Sequence, residues 1–121
     1  MSKSLIIAEA GVNHNGDISL AKKLIEGASL AGADIVKFQT FKAEELSTCR
    51  AENAKYQLKN SKKYVNQIDM LRDLELKPKD HIELIDYSNK LGIEFLSTGF
   101  DLKSIKFLKS LDLRRWKIPS G

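Results

Sequence analysis

Short apolar runs of strand length alternate along this chain with longer stretches of helical period. Leu5 to Ala8 is a continuous apolar run, suited to a strand buried on both faces, and it carries Glu9 out at its C-terminal end. Ala10 to Asp17 (AGVNHNGD) brings two glycines, two asparagines and a histidine, which is loop chemistry. From Ile18 to Ala31 the period becomes helical: Leu20, Leu24 and Ala28 form one stripe, joined by Ala21, Ile25 and Ala31, and Asp17 can cap it. Gly32 ends the helix. Asp34 to Thr40 (DIVKFQT) then reads as a second strand, with Lys37 and Gln39 on one face and Val36 and Phe38 on the other. The whole is one β-α-β unit, expected to be right-handed with parallel strands.

Phe41 to Ser61 is rich in Lys and Glu and lacks lasting periodicity. It reads as a long excursion with a short helix around Ala51 to Leu58, and such loops are commonly functional. Tyr64, Ile68 and Leu71 mark a helical face that fades near Leu74. Pro78 suits the first turn of another helix running to about Leu91, with Gly92 behind it and Ile82, Leu84 and Ile85 as its apolar side. Ile93 to Thr98 is a third strand. Asp101 can cap a short helix that buries Ile105, Leu108 and Leu111, and Arg115 to Ile118 is a fourth strand. The pattern predicts an α/β fold of four parallel strands with intervening helices. It stops at strand four with no device for managing a sheet edge, as the front half of an eight-stranded barrel would.

Composition narrows the partners. The chain has 121 residues, 42% hydrophobic and 30% charged, which is globular and one small domain in length. No apolar run approaches a membrane span, and no secretory cleavage region precedes the first strand, so the expectation is a cytoplasmic protein with no membrane partner. A single cysteine, Cys49, excludes an internal disulfide and any multi-cysteine metal site. The net charge of +4 is spread over several polar faces without a nucleic-acid motif, so no nucleic-acid partner is expected; an anionic small molecule fits better.

Polar side chains gather where α/β folds place their sites, at the C-terminal ends of the strands: Glu9, Lys37 and Gln39, Ser97 and Thr98, Lys117 and Ser120. Alternation turns Lys117 inward while Trp116 and Ile118 face the outer helices. Two inward lysines at one end of a parallel sheet repel unless an anion lies between them. A substrate carboxylate or phosphate fits, with Ser120 and the Gly121 N–H as further donors. The alternative is that Glu9 neutralises one lysine while the other reaches solvent. His14, between two asparagines, can hold its loop by hydrogen bonds, bind a sugar hydroxyl or ligate a metal. With His81 as the only other histidine, and read as a surface or capping residue, no metal cluster assembles in this segment. Cys49 has no evident base beside it, which argues against a nucleophile. Trp116 and Phe95 read as packing residues, and Phe100 as either core or a cover over an apolar part of a substrate.

Four segments in order, IIAEAGVNHNGD (Ile6 to Asp17), AGADIVKFQTFKAEEL (Ala31 to Leu46), GIEFLSTGFD (Gly92 to Asp101) and KIPSG (Lys117 to Gly121), resemble the sialic acid synthase family, which includes N-acetylneuraminate and legionaminic acid synthases. The resemblance runs over essentially the whole chain. It implies that residues 1–121 are the N-terminal half of a TIM (β/α)8 barrel, with the second half and a C-terminal antifreeze-like domain absent. It also implies a homodimer in which the small domain of one subunit covers the barrel mouth of the other. Lys37 and Lys117 resemble the lysines that hold phosphoenolpyruvate, Ser120 a phosphate-binding serine, and Gln39 a neighbour of the same ligand. Glu9 resembles the glutamate that contacts the N-acylated amino sugar, and Phe100 lines that side of the pocket. His14 matches the loop histidine of the NHNG motif, which is not a metal ligand; the ligands for the divalent metal (Mn2+ or Mg2+) lie outside this segment. Gly99 stands where the family usually has proline, which leaves this strand exit looser. The KFQTF wording is closer to the sialic and legionaminic branch than to the pseudaminic one.

The implied reaction is a metal-assisted, C–C bond-forming transfer, in which phosphoenolpyruvate condenses with open-chain N-acetylmannosamine or a 2,4-diacetamido-6-deoxy sugar and phosphate is released. The lysines would act electrostatically, not as Schiff-base nucleophiles. The competing readings are a phosphate-handling aldolase with a Schiff-base lysine, and a segment inactive in isolation.

Overall fold

A computed structural model describes residues 2–46 and 61–120. The expected helix at 51–58, and Cys49, lie outside the described residues. Three parallel strands form one sheet in the order β1 (Ile7–Gly11), β2 (Ile35–Thr40) and β3 (Glu94–Gly99). Helices α1 (Ile18–Leu30), α2 (Ser61–Leu74), α3 (Pro78–Leu91) and α4 (Leu102–Ser110) occupy the connections and the segment after β3. Residues 43–46 add a helical turn after β2.

Local chemistry accounts for most of these boundaries. The Asp17 carboxylate accepts the Ser19 and Leu20 N–H groups at the start of α1, and Asp101 accepts Ser104 N–H at the start of α4. Pro78 opens α3, the Asp80 carboxylate reaches back to the Lys77 N–H, and Gly92 closes the helix. The core lies between the helices and one sheet face. Ala21, Ile25 and Ala28 of α1 and Leu84 of α3 pack with Val36, Phe38 and Phe95, and the Phe38 and Phe95 rings stack at 5.4 Å.

Several expectations are corrected. β1 starts at Ile7, two residues late, and runs through Glu9 to Gly11, because its ladder with β2 begins at Ile7 opposite Ile35. It is the edge of the described sheet, so Leu5, Ile6 and Ile7 are exposed and not buried on both faces. The burial stripe of α1 centres on Ala21, Ile25 and Ala28, with Leu20 and Ala31 turned outward. In α3 the buried stripe is His81, Leu84 and Ser88, and Ile82 is 53% exposed. Ile82 lies about 100° round the helix from His81, so only one of the pair can face the sheet. His81 takes that place with both ring nitrogens hydrogen-bonded, and it is a core residue, not a surface or capping one. Ile105 is likewise more exposed than its neighbour Leu108, which carries the burial of α4.

The fourth strand does not form as a strand. Only Lys117 pairs, in a single parallel bridge to Thr98. Arg115 is drawn instead to Glu94, reaching its two carboxylate oxygens at 2.7 and 3.1 Å, and Pro119 has no N–H with which to extend a ladder. Trp116 and Ile118 are exposed, so neither packs on the helices as expected.

Candidate functional site

The register of the sheet decides which polar side chains share a face. Glu9 stands opposite Lys37, Gln39 opposite Thr98, and Thr98 opposite Lys117. Residues paired across parallel strands project to the same side, as do residues two apart within one strand. Glu9, Lys37, Gln39, Thr98 and Lys117 therefore lie on one face, towards the C-terminal end of the sheet. Two strand spacings and one two-residue step put the Lys37 and Lys117 Cα atoms roughly 12 Å apart. That span is within the combined reach of two extended lysine side chains and a phosphate-sized anion.

An irregularity in β1 adjusts this layout. The pairing slips between Glu9 and Gly11, so Ala10 has no partner residue and the strand bends as at a β-bulge. Gly11, with φ +55°, allows the bend and leaves space above itself: a Cβ there would stand 3.1 Å from a Glu9 carboxylate oxygen and 3.8 Å from Gln39 Nε2. The Glu9 carboxylate and the Gln39 amide thus both border the space at Gly11, and Glu9 Oε2 forms an ion pair with Lys37 Nζ at 2.6 Å. Lys37 is largely buried and Glu9 half-exposed, so this pair contributes more than a surface ion pair while its carboxylate keeps access to solvent.

Lys117 is exposed, and its ammonium donates to the backbone carbonyl of Ile118 at 2.6 Å. Glu9 is thus paired with Lys37, while Lys117 is exposed. Both lysines nonetheless stay on the same face and at the same end.

Thr98 went unselected in the sequence, where it was one strand-end hydroxyl among several. Its hydroxyl oxygen is buried and has no hydrogen-bond partner among the described residues, although it lies between Gln39 and Lys117 in the register. An unpaired buried hydroxyl costs free energy, and a polar ligand at this face would relieve that cost. Alternation alone places Thr98 on the lysine face once the strand is recognised, so the signal was present; the missing partner was not.

Phe100 follows β3 directly, is 40% exposed, and is held by its N–H to the Thr40 carbonyl. Ser120 is exposed, three residues beyond Lys117. The strand exit at Gly99 is not slack. Gly99 pairs with Thr40, and a Cβ on it would meet Ile105 Cγ1 at 2.9 Å and the Ile105 nitrogen at 3.3 Å, so α4 fills the space that glycine leaves.

His14 is not brought to this face. Its ring is fully buried, 6.0 Å from the Phe38 ring, and Phe38 points away from Lys37 and Gln39. His14 Nδ1 accepts the Gly16 N–H at 2.8 Å, so of its three proposed roles the structure displays the loop-holding one. Burial lowers the pKa values of both His14 and His81 below the usual 6.5. The neutral rings are therefore favoured by folding: their contribution is fully present above pH 6.5 and is lost as pH falls below it towards the lowered values. The urea midpoint is expected to drop between pH 7 and pH 5, and a flat profile there would contradict the burial of these rings. Among the described residues no three His, Cys, Asp or Glu side chains are grouped to hold an ion.

The NeuB family model matches residues 24–121. The chain is 57% identical over 116 residues to the N,N'-diacetyllegionaminic acid synthase of Legionella pneumophila, covering 96% of this chain and 33% of that protein. It is 55% identical over 121 residues to the enzyme of the same name from Campylobacter jejuni, covering all of this chain and 36% of that one. A crystal structure of an N-acetylneuraminic acid (sialic acid) synthetase from Leptospira borgpetersenii, in complex with citrate, superposes with a TM-score of 0.73 at 28% identity, over 95% of this chain and 36% of that one. The chain thus spans about a third of the length of these relatives.

Proposed function

This chain belongs to the NeuB family, and from that premise we propose that it forms part of an enzyme joining phosphoenolpyruvate to an N-acylated hexosamine. The product is a sialic-type nonulosonic acid, and phosphate is released. The relatives' names favour a diacetamido sugar of the legionaminic type over N-acetylmannosamine. The observation that carries the reading is the shared face of Lys37, Gln39, Thr98 and Lys117 at the C-terminal end of parallel strands.

Each residue has a task in this scheme. Lys37 and Lys117 hold the phosphate and carboxylate of phosphoenolpyruvate, and Lys117 leaves the Ile118 carbonyl to do so. The Thr98 hydroxyl gains the acceptor it lacks, and Gln39 donates its amide beside it. Ser120 adds a hydroxyl at the phosphate. Glu9, half-exposed, offers one oxygen to the amino sugar while the other stays paired with Lys37. Phe100 covers the sugar's apolar side. Carbon 3 of phosphoenolpyruvate then attacks the aldehyde carbon of the open-chain sugar, whose oxygen takes a proton. Water adds at carbon 2, and the tetrahedral intermediate expels phosphate by C–O cleavage. The lysines act on charge as it develops and form no covalent bond.

By family likeness the divalent metal is held by residues outside this chain, and the full-length protein is a homodimer acting in the cytoplasm. No described helix is long and apolar enough to cross a membrane. The test uses the full-length protein with phosphoenolpyruvate and 2,4-diacetamido-2,4,6-trideoxymannose in water labelled with oxygen-18. Phosphate release that needs both substrates, with no label in the phosphate, is expected. Label in the phosphate would signify P–O cleavage and overturn the mechanism, and a borohydride-trapped lysine adduct would favour the aldolase reading.

A further inference from the structure

Behind the lysine face lies a chain of three buried polar side chains that the proposed reaction does not use. The Lys77 carbonyl can only accept, so His81 Nδ1, 2.8 Å away, must carry the proton. In the neutral ring, Nε2 is then an acceptor. It takes its hydrogen from Thr40 Oγ1 at 2.7 Å, and Thr40 Oγ1 in turn accepts from Ser97 Oγ at 2.6 Å. All three side chains are buried, and every link has a single possible direction. Phe107 stands edge-on to the imidazole at 5.0 Å and Phe95 at 6.3 Å. The charged or titratable groups acting on the ring are Asp80 on its own helix, Lys42 at the exit of β2, and His14 in the loop after β1.

The chain ties the first turn of α3 to the C-terminal ends of β2 and β3. Thr40 and Ser97 are the immediate neighbours of Gln39 and Thr98 and point to the opposite side. Fixing one side chain of each pair fixes the peptide plane, and hence the direction, of the other. The Thr40 carbonyl also accepts the Phe100 N–H, and the Asp101 carboxylate accepts the Lys42 N–H, so the same two strand ends are tied across their exits. A buried polar network is poor value for stability against well-packed apolar residues, and its usual merit is to specify one arrangement.

We propose that His81 is a positioning residue, which acts through Thr40 and Ser97 to hold Gln39 and Thr98 in place for the anionic substrate. This rests on the phosphoenolpyruvate reading of the opposite face. The requirement is for an acceptor at the Nε2 position, not for the volume of a ring. Glutamine can place its amide oxygen where Nε2 stands, whereas asparagine reaches only the Nδ1 position and leaves the Thr40 hydroxyl without its acceptor.

The test compares His81→Gln with His81→Asn, and Thr40→Ser with Thr40→Val, in the full-length enzyme. The asparagine and valine variants are expected to raise the KM for phosphoenolpyruvate about tenfold, a loss typical of displaced binding groups. The KM for the sugar and kcat should stay within about twofold, and the glutamine and serine variants within about threefold of wild type in every constant. Should His81 variants not fold, the Thr40 pair carries the comparison alone. Equal losses in the Asn and Gln variants, or in the Val and Ser variants, would reduce the network to packing and overturn the inference. So would imidazole nitrogen-15 shifts that put the proton on Nε2. A wild-type enzyme that fails to bind phosphoenolpyruvate would instead sink the functional reading on which the inference stands.

Discussion

Replacing Lys117 by alanine in the full-length protein is expected to weaken phosphoenolpyruvate binding by roughly a hundredfold, the equivalent of one or two charge-assisted hydrogen bonds. In the structure its ammonium contacts only the backbone carbonyl of the next residue, and among the described residues no carboxylate pairs with it. Removing it therefore strands no buried partner, and the melting temperature should move by little. That separation of affinity from stability is the point of the experiment. Lys37 would be a poorer choice, because its loss also leaves the Glu9 carboxylate unpaired beside the ligand. Calorimetry that finds the affinity of Lys117→Ala unchanged would remove Lys117 from the site, and with it the anion clamp.

The largest expected effect on stability comes from a glycine remote from that chemistry. Gly16 has φ +77°, and a Cβ on it would stand 2.0 Å from the Asp73 carbonyl oxygen at the end of α2. Neither partner can yield easily, since one is backbone and the other is the turn that His14 holds. Gly16→Ala pays for the left-handed conformation and for the overlap together, about 3 kcal/mol or more. Gly27 provides the control: it lies within α1 with nothing near its Cβ position, so Gly27→Ala should stabilise by about 0.5–1 kcal/mol. Urea midpoints measure both. If Gly16→Ala unfolds no earlier than wild type, the loop after β1 does not dock on α2 as described.

The two variants differ in what the sequence could foresee. The NHNGD run was legible as a loop, and Asp17 as the cap of the helix behind it, because these are properties of neighbouring residues. That the loop must press against a carbonyl 57 positions later was not. The candidate site divides in the same way. Motif resemblance and strand alternation gave Glu9, Lys37, Gln39 and Lys117, and the register places all four on one face. The pairing of Glu9 with Lys37 depended on the register of β1 against β2, which no local pattern announces. The fourth strand failed for a related reason. Arg115 to Ile118 has the composition of a strand, but pairing is a property of two segments, and Glu94 competes for Arg115.

Sequence by itself determined where the three strands and the four described helices lie to within a few residues, since periodicity, caps, proline and glycine act within one or two turns of chain. It also determined the chemistry available at the strand ends. Tertiary structure alone decided which face of α3 is buried, and so turned His81 from an expected surface residue into the head of a buried relay. It alone left the Thr98 hydroxyl without a partner among the described residues and gave Lys37 one. The physical reason is distance along the chain. A buried polar group needs a partner, and those of Lys37, Thr40 and Ser97 lie 28 to 57 residues away, beyond the reach of any local pattern.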